Sequence, residues 1–417
     1  MTVSHIRTAD WPHPADFSAP PTSVDRARWA ESDRVARPVR LEALRARMVT
    51  EGVDGYFGVR WEHVRYLTGL PFDEEEVSGA GDSGKFLVTG TESIVLADSR
   101  YTIAVQRDAP ESRVFDCYNA LVDRWPELLE SAGVTRVAVE AMSIPHLTWE
   151  RLQAAAPDVE LVPIEGWVEA IRQVKDASEL ERVAAACAVS DRALASLLPS
   201  IRPRVTEREL ALDLEWRIRT GGAERLAFPV ACLAGPEAAL PHGSPGDRPV
   251  QSGAVLLFDF GAQVEGYRSD MTRTLFVGDP TQRDLDVYGL VAAAQDAVFA
   301  ALAEAVAPAK QRAGMPLPDG PGMDRLARAV IESDGRWPVY GHGLGHGIGL
   351  ATHELPGLGQ RSPTTPLPSP TVFSVEPGIY LEGETGVRIE DLVMFDAIAG
   401  RIAQLTNFPR GIVVVGT

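Results

Sequence analysis

Five side chains in the second half of this 417-residue chain have types and settings suited to chemistry. Asp259 ends the apolar run VLLFD, and Asp270 follows eleven residues later at the start of DMTRTLFV. Gly261 and Gly266 lie between them and permit a tight hairpin-like reversal that brings the two carboxylates together. His346 sits in GHGLGHGIGL, whose glycines let backbone approach a site closely; Glu376 follows VFSV, and Glu390 lies in GVRIEDLVMF. Four carboxylates and an imidazole gathered in one place repel each other unless cations sit among them. A carboxylate-rich, sulfur-free donor set suits two divalent ions, Mn²⁺ first, with Co²⁺, Zn²⁺ or Fe²⁺ as alternatives. Two such ions ~3.5–4 Å apart can share a bridging hydroxide, a hydrolytic nucleophile.

Taken alone, each residue has an ordinary reading. An Asp at a strand end is usually a turn residue or helix cap, and EPG by itself reads as a turn. Only the conjunction is specific, because all five positions adjoin apolar strands or glycine turns.

The elements that must carry these residues are legible from periodicity. Helical stripes end at Gly52 (residues 38–51) and at Pro199, the latter after a capping-box start at Asp176 and Glu179; further helices start at Thr206 and run over about 284–306. Strand-like runs fall at Val255–Phe260, Thr272–Val277, Val372–Val375 and Asp391–Phe395. The first half alternates strands (Val53–Val59, Phe86–Thr89, Ser93–Ala97, Val114–Tyr118, Arg136–Glu140) with helices (Tyr101–Arg107, Leu121–Ala132, Ile144–Ala155), an α/β pattern; the second half is α+β. Residues 1–36, rich in Pro and Trp, read as an arm, extended onto a neighbour or disordered.

Composition narrows the function further. The net charge of −18 disfavours nucleic acid or an anionic membrane as partner. Cys117, Cys187 and Cys232 are odd in number and scattered, so reduced cytoplasmic thiols are expected and a disulfide framework is not. No signal peptide opens the chain, and the Ala-rich stretch 287–307 is interrupted by Gln295, Asp296 and Glu304. The expectation is a soluble cytoplasmic protein.

The ordered segments DFGAQVEGYRSDMTRT, HGLGHGIGLATHE, SVEPGIY and GVRIED strongly resemble the pita-bread metallopeptidases: aminopeptidase P, prolidase, methionine aminopeptidase and the metal-free creatinase. The resemblance covers about residues 170–417, and Gly52–Gly58 with HVRYLTGL (63–70) resembles the creatinase/prolidase N-terminal domain. After the arm (1–36), it implies an α/β creatinase-like N-terminal domain (37–170) and an α+β pita-bread catalytic domain (171–417). It also implies that Asp259, Asp270, His346, Glu376 and Glu390 are the dinuclear metal ligands, with Asp270 and Glu390 bridging.

By the same carry-over His242 contacts substrate near the scissile bond, His353 hydrogen-bonds the carbonyl oxygen, and His342 and Tyr380 line the pocket. Glu376 doubles as proton shuttle. Arg388, two residues before Glu390 and on the same strand face, orients a ligand carboxylate. Glu237 stands where the family usually has Asn, placing an extra acid near the substrate entrance. The implied activity is cleavage of an Xaa-Pro bond at peptide N-termini, of aminopeptidase type, on short proline-containing peptides by a homodimer. The alternatives are an Xaa-Pro dipeptidase (prolidase) or a non-peptidase small-molecule enzyme on the same scaffold; a binding module without chemistry is disfavoured by the complete ligand set.

Overall fold

A computed structural model of the protein describes residues 4–72, 79–307 and 316–416. The chain forms two units, one spanning Asp25–Arg172 and the other combining Met1–Val24 with Gln173–Thr417.

In the first unit six strands form one sheet, in spatial order Arg113–Asp116, Ser93–Ala97, Phe86–Thr89, Gly55–Gly58, Arg136–Glu140 and Glu160–Ile164. Gly55–Gly58 runs parallel to Arg136–Glu140 and antiparallel to Phe86–Thr89, so the sheet is mixed. Its core joins Phe57, Leu87, Leu96, Val137 and Val139 to Trp125 and Leu128 of the helix Leu121–Ala132. Phe57 meets Trp125 edge-on at 4.8 Å, an arrangement that places the ring edge against the electron-rich face. The edge strand Glu160–Ile164 was not expected, because Pro163 interrupts its short apolar run.

The first helix departs from expectation. It spans Ser23–Glu51 and runs straight through Pro38, so residues 23–36 are helical rather than part of an arm. Arg and Ala are the commonest residues of the helix, and their helix propensity together with burial of Trp29, Leu44 and Met48 outweighs the ~3 kcal/mol that an internal proline costs. Residues 1–3 lie outside the described residues, and 4–22 dock on their own chain. His5–Ile6 pairs in parallel with Ile412–Val415, Trp11 Nε1 donates to Val414 O at 3.0 Å, and Phe17 stacks on Phe408.

The second unit contains two five-stranded sheets. One is ordered His5–Ile6, Ile412–Val415, Met271–Val277, Val255–Phe260, Ala231–Ala234; the other is Glu354–Leu358, Gly345–Gly347, Thr371–Val375, Asp391–Asp396, Arg401–Gln404. Capping boxes open the helices Ala177–Leu197 (Asp176, Glu179), Glu207–Thr220 (Thr206, Glu209) and Gln282–Ala305 (Thr281, Asp284), where side-chain oxygens take up the orphan amides of the first turn. Gln282–Ala305 is long and apolar enough to cross a membrane by composition. Here its Val287, Val291, Val298 and Leu302 pack with Val255, Phe276, Phe373 and Phe395 of the two sheets in one core.

A further helix, Gly320–Asp334, was missed because Gly320-Pro321-Gly322 reads as a turn. Asp319 caps it, and its apolar stripe is Met323, Ala327 and Ile331. Gly320 is needed for close packing: a Cβ there would lie 2.1 Å from Gly357 O on a neighbouring strand.

Candidate metal centre and active site

Strand register delivers the five acidic and imidazole side chains to one place. Val255–Phe260 and Met271–Val277 are antiparallel, with Asp259 opposite Thr272 and Asp270 one residue before the second strand. The connection folds into a small hairpin, Ala262–Val264 with Tyr267–Arg268, turning at Gly266 with φ +81°. Gly261 must lack a side chain, since a Cβ would fall 1.9 Å from Ser269 O. The expected convergence of Asp259 and Asp270 is therefore observed.

In the second sheet Val375 pairs with Asp391, so Glu376 and Glu390 leave adjacent strands side by side. His346 is brought up to them because Gly345 lets its strand press against Thr371–Val375; a Cβ at Gly345 would meet Ser374 O at 2.0 Å. His346 Nδ1 bonds Gly347 O at 3.0 Å, which leaves Nε2 facing Glu376 Oε1 (3.5 Å) and Asp270 Oδ2 (3.7 Å). Asp270, His346 and Glu390 each offer a donor atom within 4.8 Å of the others.

Arg388 ends the short strand Thr385–Arg388, which pairs with Gly378–Leu381, and ties that hairpin to the sheet bearing Asp259 and Thr272. Its Nη2 pairs with Asp259 Oδ2 at 2.6 Å, Nε donates to Thr272 Oγ1 at 2.9 Å, and Nη1 donates to Tyr380 OH at 3.0 Å. Thr272 in turn donates to Glu390 Oε2 at 2.7 Å. Ser374 Oγ donates to Glu376 Oε1 at 3.1 Å. Neither Thr272 nor Ser374 was singled out from the sequence, although each lies directly across a ladder from, or two residues from, a ligand candidate.

All five residues line one cavity of about 510 Å³, together with His242, His342, His353, Arg388 and the apolar Phe228, Pro229 and Pro241. Tyr380 is placed differently from expectation: it stands behind the wall, its OH 2.9 Å from His342 Nε2, because it bridges His342 and Arg388. Glu237 is likewise absent from the lining and turns to Arg248 at 3.5 Å, where a guanidinium compensates it.

The electrostatics are severe. Burial first, then Glu390, Asp259 and Glu376, push Asp270 well above the usual carboxyl range. Burial, then Glu376 and Asp259, do the same to Glu390. Burial also raises Glu376. Asp259 Oδ1 and Asp270 Oδ1 are buried without a hydrogen-bond partner. Four carboxylates facing one guanidinium, with orphaned oxygens directed inward, are a donor set that fits divalent cations. Burial lowers the His346 pKa, which keeps the imidazole in its neutral, ligand form. Partial loss of water, then the neighbouring His346 and His242, push His353 down to about 4, leaving a neutral ring with one N–H to donate.

Residues 181–397 match the model of metallopeptidase family M24, more than half of the chain. The chain belongs to that family. Residues 40–174 of this M24 enzyme match the creatinase/prolidase N-terminal domain. The uncharacterized peptidase YqhT of Bacillus subtilis is 31% identical over 377 residues, spanning 90% of this chain and all of that one. The Xaa-Pro dipeptidase of Pyrococcus furiosus is 35% identical over 356 residues, covering 85% and 94%. Among solved structures, an Xaa-Pro dipeptidase from Bacillus anthracis superposes with a TM-score of 0.80 at 29% identity, over 91% of this chain and 100% of that one. An X-Pro aminopeptidase from Thermotoga maritima gives 0.78 at 31%, over 90% and 99%. The expected fold class, a creatinase-type domain followed by a metallopeptidase domain, is confirmed.

Proposed function

We propose that this M24 metallopeptidase is an Xaa-Pro dipeptidase, the alternative reading of the sequence rather than its first. The observation that carries the peptidase reading is the single cavity in which the five ligand candidates face His242, His353 and an apolar wall of Phe228, Pro229 and Pro241. Two features favour dipeptides. Relatives from P. furiosus and B. anthracis are Xaa-Pro dipeptidases. Exposed Arg361 also lines a second cavity, of about 490 Å³, that shares His342, Gly343 and Gly345 with the first; a cation there suits a free C-terminal carboxylate. The T. maritima aminopeptidase is the observation favouring the second reading, removal of the first residue from longer peptides.

Asp259, Asp270, His346, Glu376 and Glu390 would hold two divalent cations, Mn²⁺ first. When bound, the pair supplies Lewis acidity and lowers the pKa of water toward neutrality. Glu376 takes up a proton on its carboxylate and delivers it to the departing proline nitrogen. That delivery matters because the nitrogen of a tertiary amide, like any amide nitrogen, is a poor leaving group until it is protonated. His353 donates its N–H to the carbonyl oxygen as negative charge develops there, a contribution of ~3–4 kcal/mol in comparable sites. His242, at the exposed rim, contacts the substrate, and Arg388 fixes Asp259. Three buried free thiols suit a reducing cytoplasm.

The test is hydrolysis of Ala-Pro and Ala-Pro-Ala with Mn²⁺. Dipeptide cleavage at least ~10-fold faster supports the proposal. Preference for the tripeptide transfers it to the aminopeptidase reading, and no cleavage of either overturns both.

A further inference from the structure

Gln295 lies within Gln282–Ala305, on the helix that packs both sheets together, and is completely buried. A buried amide is unfavourable unless its polar atoms are all bonded, and here they are. Nε2 donates to Val375 O (2.9 Å), Asp391 Oδ2 (3.0 Å) and Ile389 O (3.2 Å), sharing two hydrogens among three acceptors. Oε1 accepts from Arg410 Nη1 at 3.0 Å. Asp391 is itself held by Arg273 Nη2 and Thr406 Oγ1, each at 2.6 Å.

Val375 and Ile389 immediately precede Glu376 and Glu390. The ladder between their strands ends at Val375 opposite Asp391. Beyond that rung the backbone amides diverge: Glu376 N donates to Leu344 O (2.8 Å) and Glu390 N to Thr272 O (3.2 Å). Glu376 and Glu390 therefore lie between the Val375–Asp391 rung and the next, Gly378–Arg388, bridged only by a long bond from Ile389 N to Pro377 O (3.5 Å), and repulsion between the two like charges strains this gap. Gln295 adds a side-chain tie from behind, holding the carbonyls of Val375 and Ile389 with one amide.

We propose that Gln295 is a positioning residue that clamps the chain at Val375 and Ile389, sets the separation of the Glu376 and Glu390 carboxylates, and thereby tunes cation affinity. The inference rests on the cation reading of the site given above.

The test uses the full chain with Gln295→Met, which keeps length and apolar volume but removes the donors. Circular dichroism establishes folding, and calorimetric titration with Mn²⁺ measures both binding equivalents. The expected result is a folded variant whose weaker equivalent loses ~10–100-fold in affinity, with an altered visible absorption spectrum when loaded with Co²⁺. Val298→Ala, in the same helix, serves as control: it lowers the melting temperature by opening a small cavity, yet keeps wild-type affinities and spectrum. Wild-type affinity and spectrum in Gln295→Met overturn the proposal, as does equal weakening in Val298→Ala. Should Gln295→Met not fold, Arg410→Met, which removes the partner of Oε1, carries the same expectation, and wild-type affinity there overturns it. Wild-type protein that takes up no Mn²⁺ overturns the cation reading as well.

Discussion

Arg388 reaches from its own hairpin to place its Nη2 2.6 Å from Asp259 Oδ2 while its Nε hydrogen-bonds Thr272, which in turn holds Glu390. One guanidinium thus orients two of the ligand candidates, Asp259 directly and Glu390 through Thr272. Arg388→Gln is expected to weaken Mn²⁺ binding and lower kcat ~10–100-fold, as loss of a group supporting metal ligands generally does. Calorimetry and steady-state kinetics check this; an unaltered metal affinity refutes the orienting role.

Stripping the cations should destabilise the fold. Asp270 and Glu390 are raised in the folded state, so their electrostatic cost is absent below the ordinary carboxyl range and grows as pH climbs toward their folded values. Stability of the metal-free protein therefore falls with rising pH, and the gain on adding Mn²⁺ grows. At a hundredfold excess over Kd that gain is ~2.7 kcal/mol. Melting curves of chelator-treated protein at pH 5.5 and 8, with and without Mn²⁺, read both effects; equal Mn²⁺ shifts at the two pH values contradict the account.

His353 should be separable from the metal site. His353→Ala is expected to reduce kcat by ~10²–10³-fold while leaving Mn²⁺ stoichiometry intact, since the ring is assigned to the carbonyl oxygen. Loss of metal in this variant would reassign the residue.

Behind His353 lies a buried ion pair, Lys175 Nζ to Glu354 Oε1 at 2.5 Å, with both side chains almost wholly enclosed. Gly349 backs against it, and its carbonyl accepts from Arg268 N, so the loop bearing Thr352 and His353 is tied to the hairpin before Asp270. Lys175→Met strands a buried charge and should cost ~3–5 kcal/mol in urea unfolding, whereas Lys175→Met with Glu354→Gln should recover a good part of it. An additive double variant argues against a coupled pair.

Much of the site was readable before any coordinates. The four carboxylates stood out because each adjoins the end of an apolar strand, where a charge has no packing reason to be, and His346 because of its glycine-rich setting; strand register then brought them together. Boundaries such as Phe86–Thr89, Leu121–Ala132 and Val255–Phe260 followed from periodicity and matched. What escaped detection depended on partners distant in sequence. Gln295 looked like a mere interruption of an alanine-rich run, since its acceptors lie 80 or more residues away. Tyr380 sits behind His342 and Arg388, and Glu237 turns to Arg248; these partners are not legible from sequence spacing. The helix read over 38–51 starts earlier, at Ser23, and continues through Pro38.

The two residues His5 and Ile6 also carry a consequence for the molecule's solubility. They cover the outer rim of Ile412–Val415, whose sequence IVVV is wholly apolar. Peeling away that leading segment bares a row of unsatisfied amides and carbonyls on a sticky strand, the kind of edge on which other chains assemble into aggregates. Residues 5 and 6 thus behave as a built-in guard strip, and versions of this enzyme lacking them should clump more readily than the chain that keeps them.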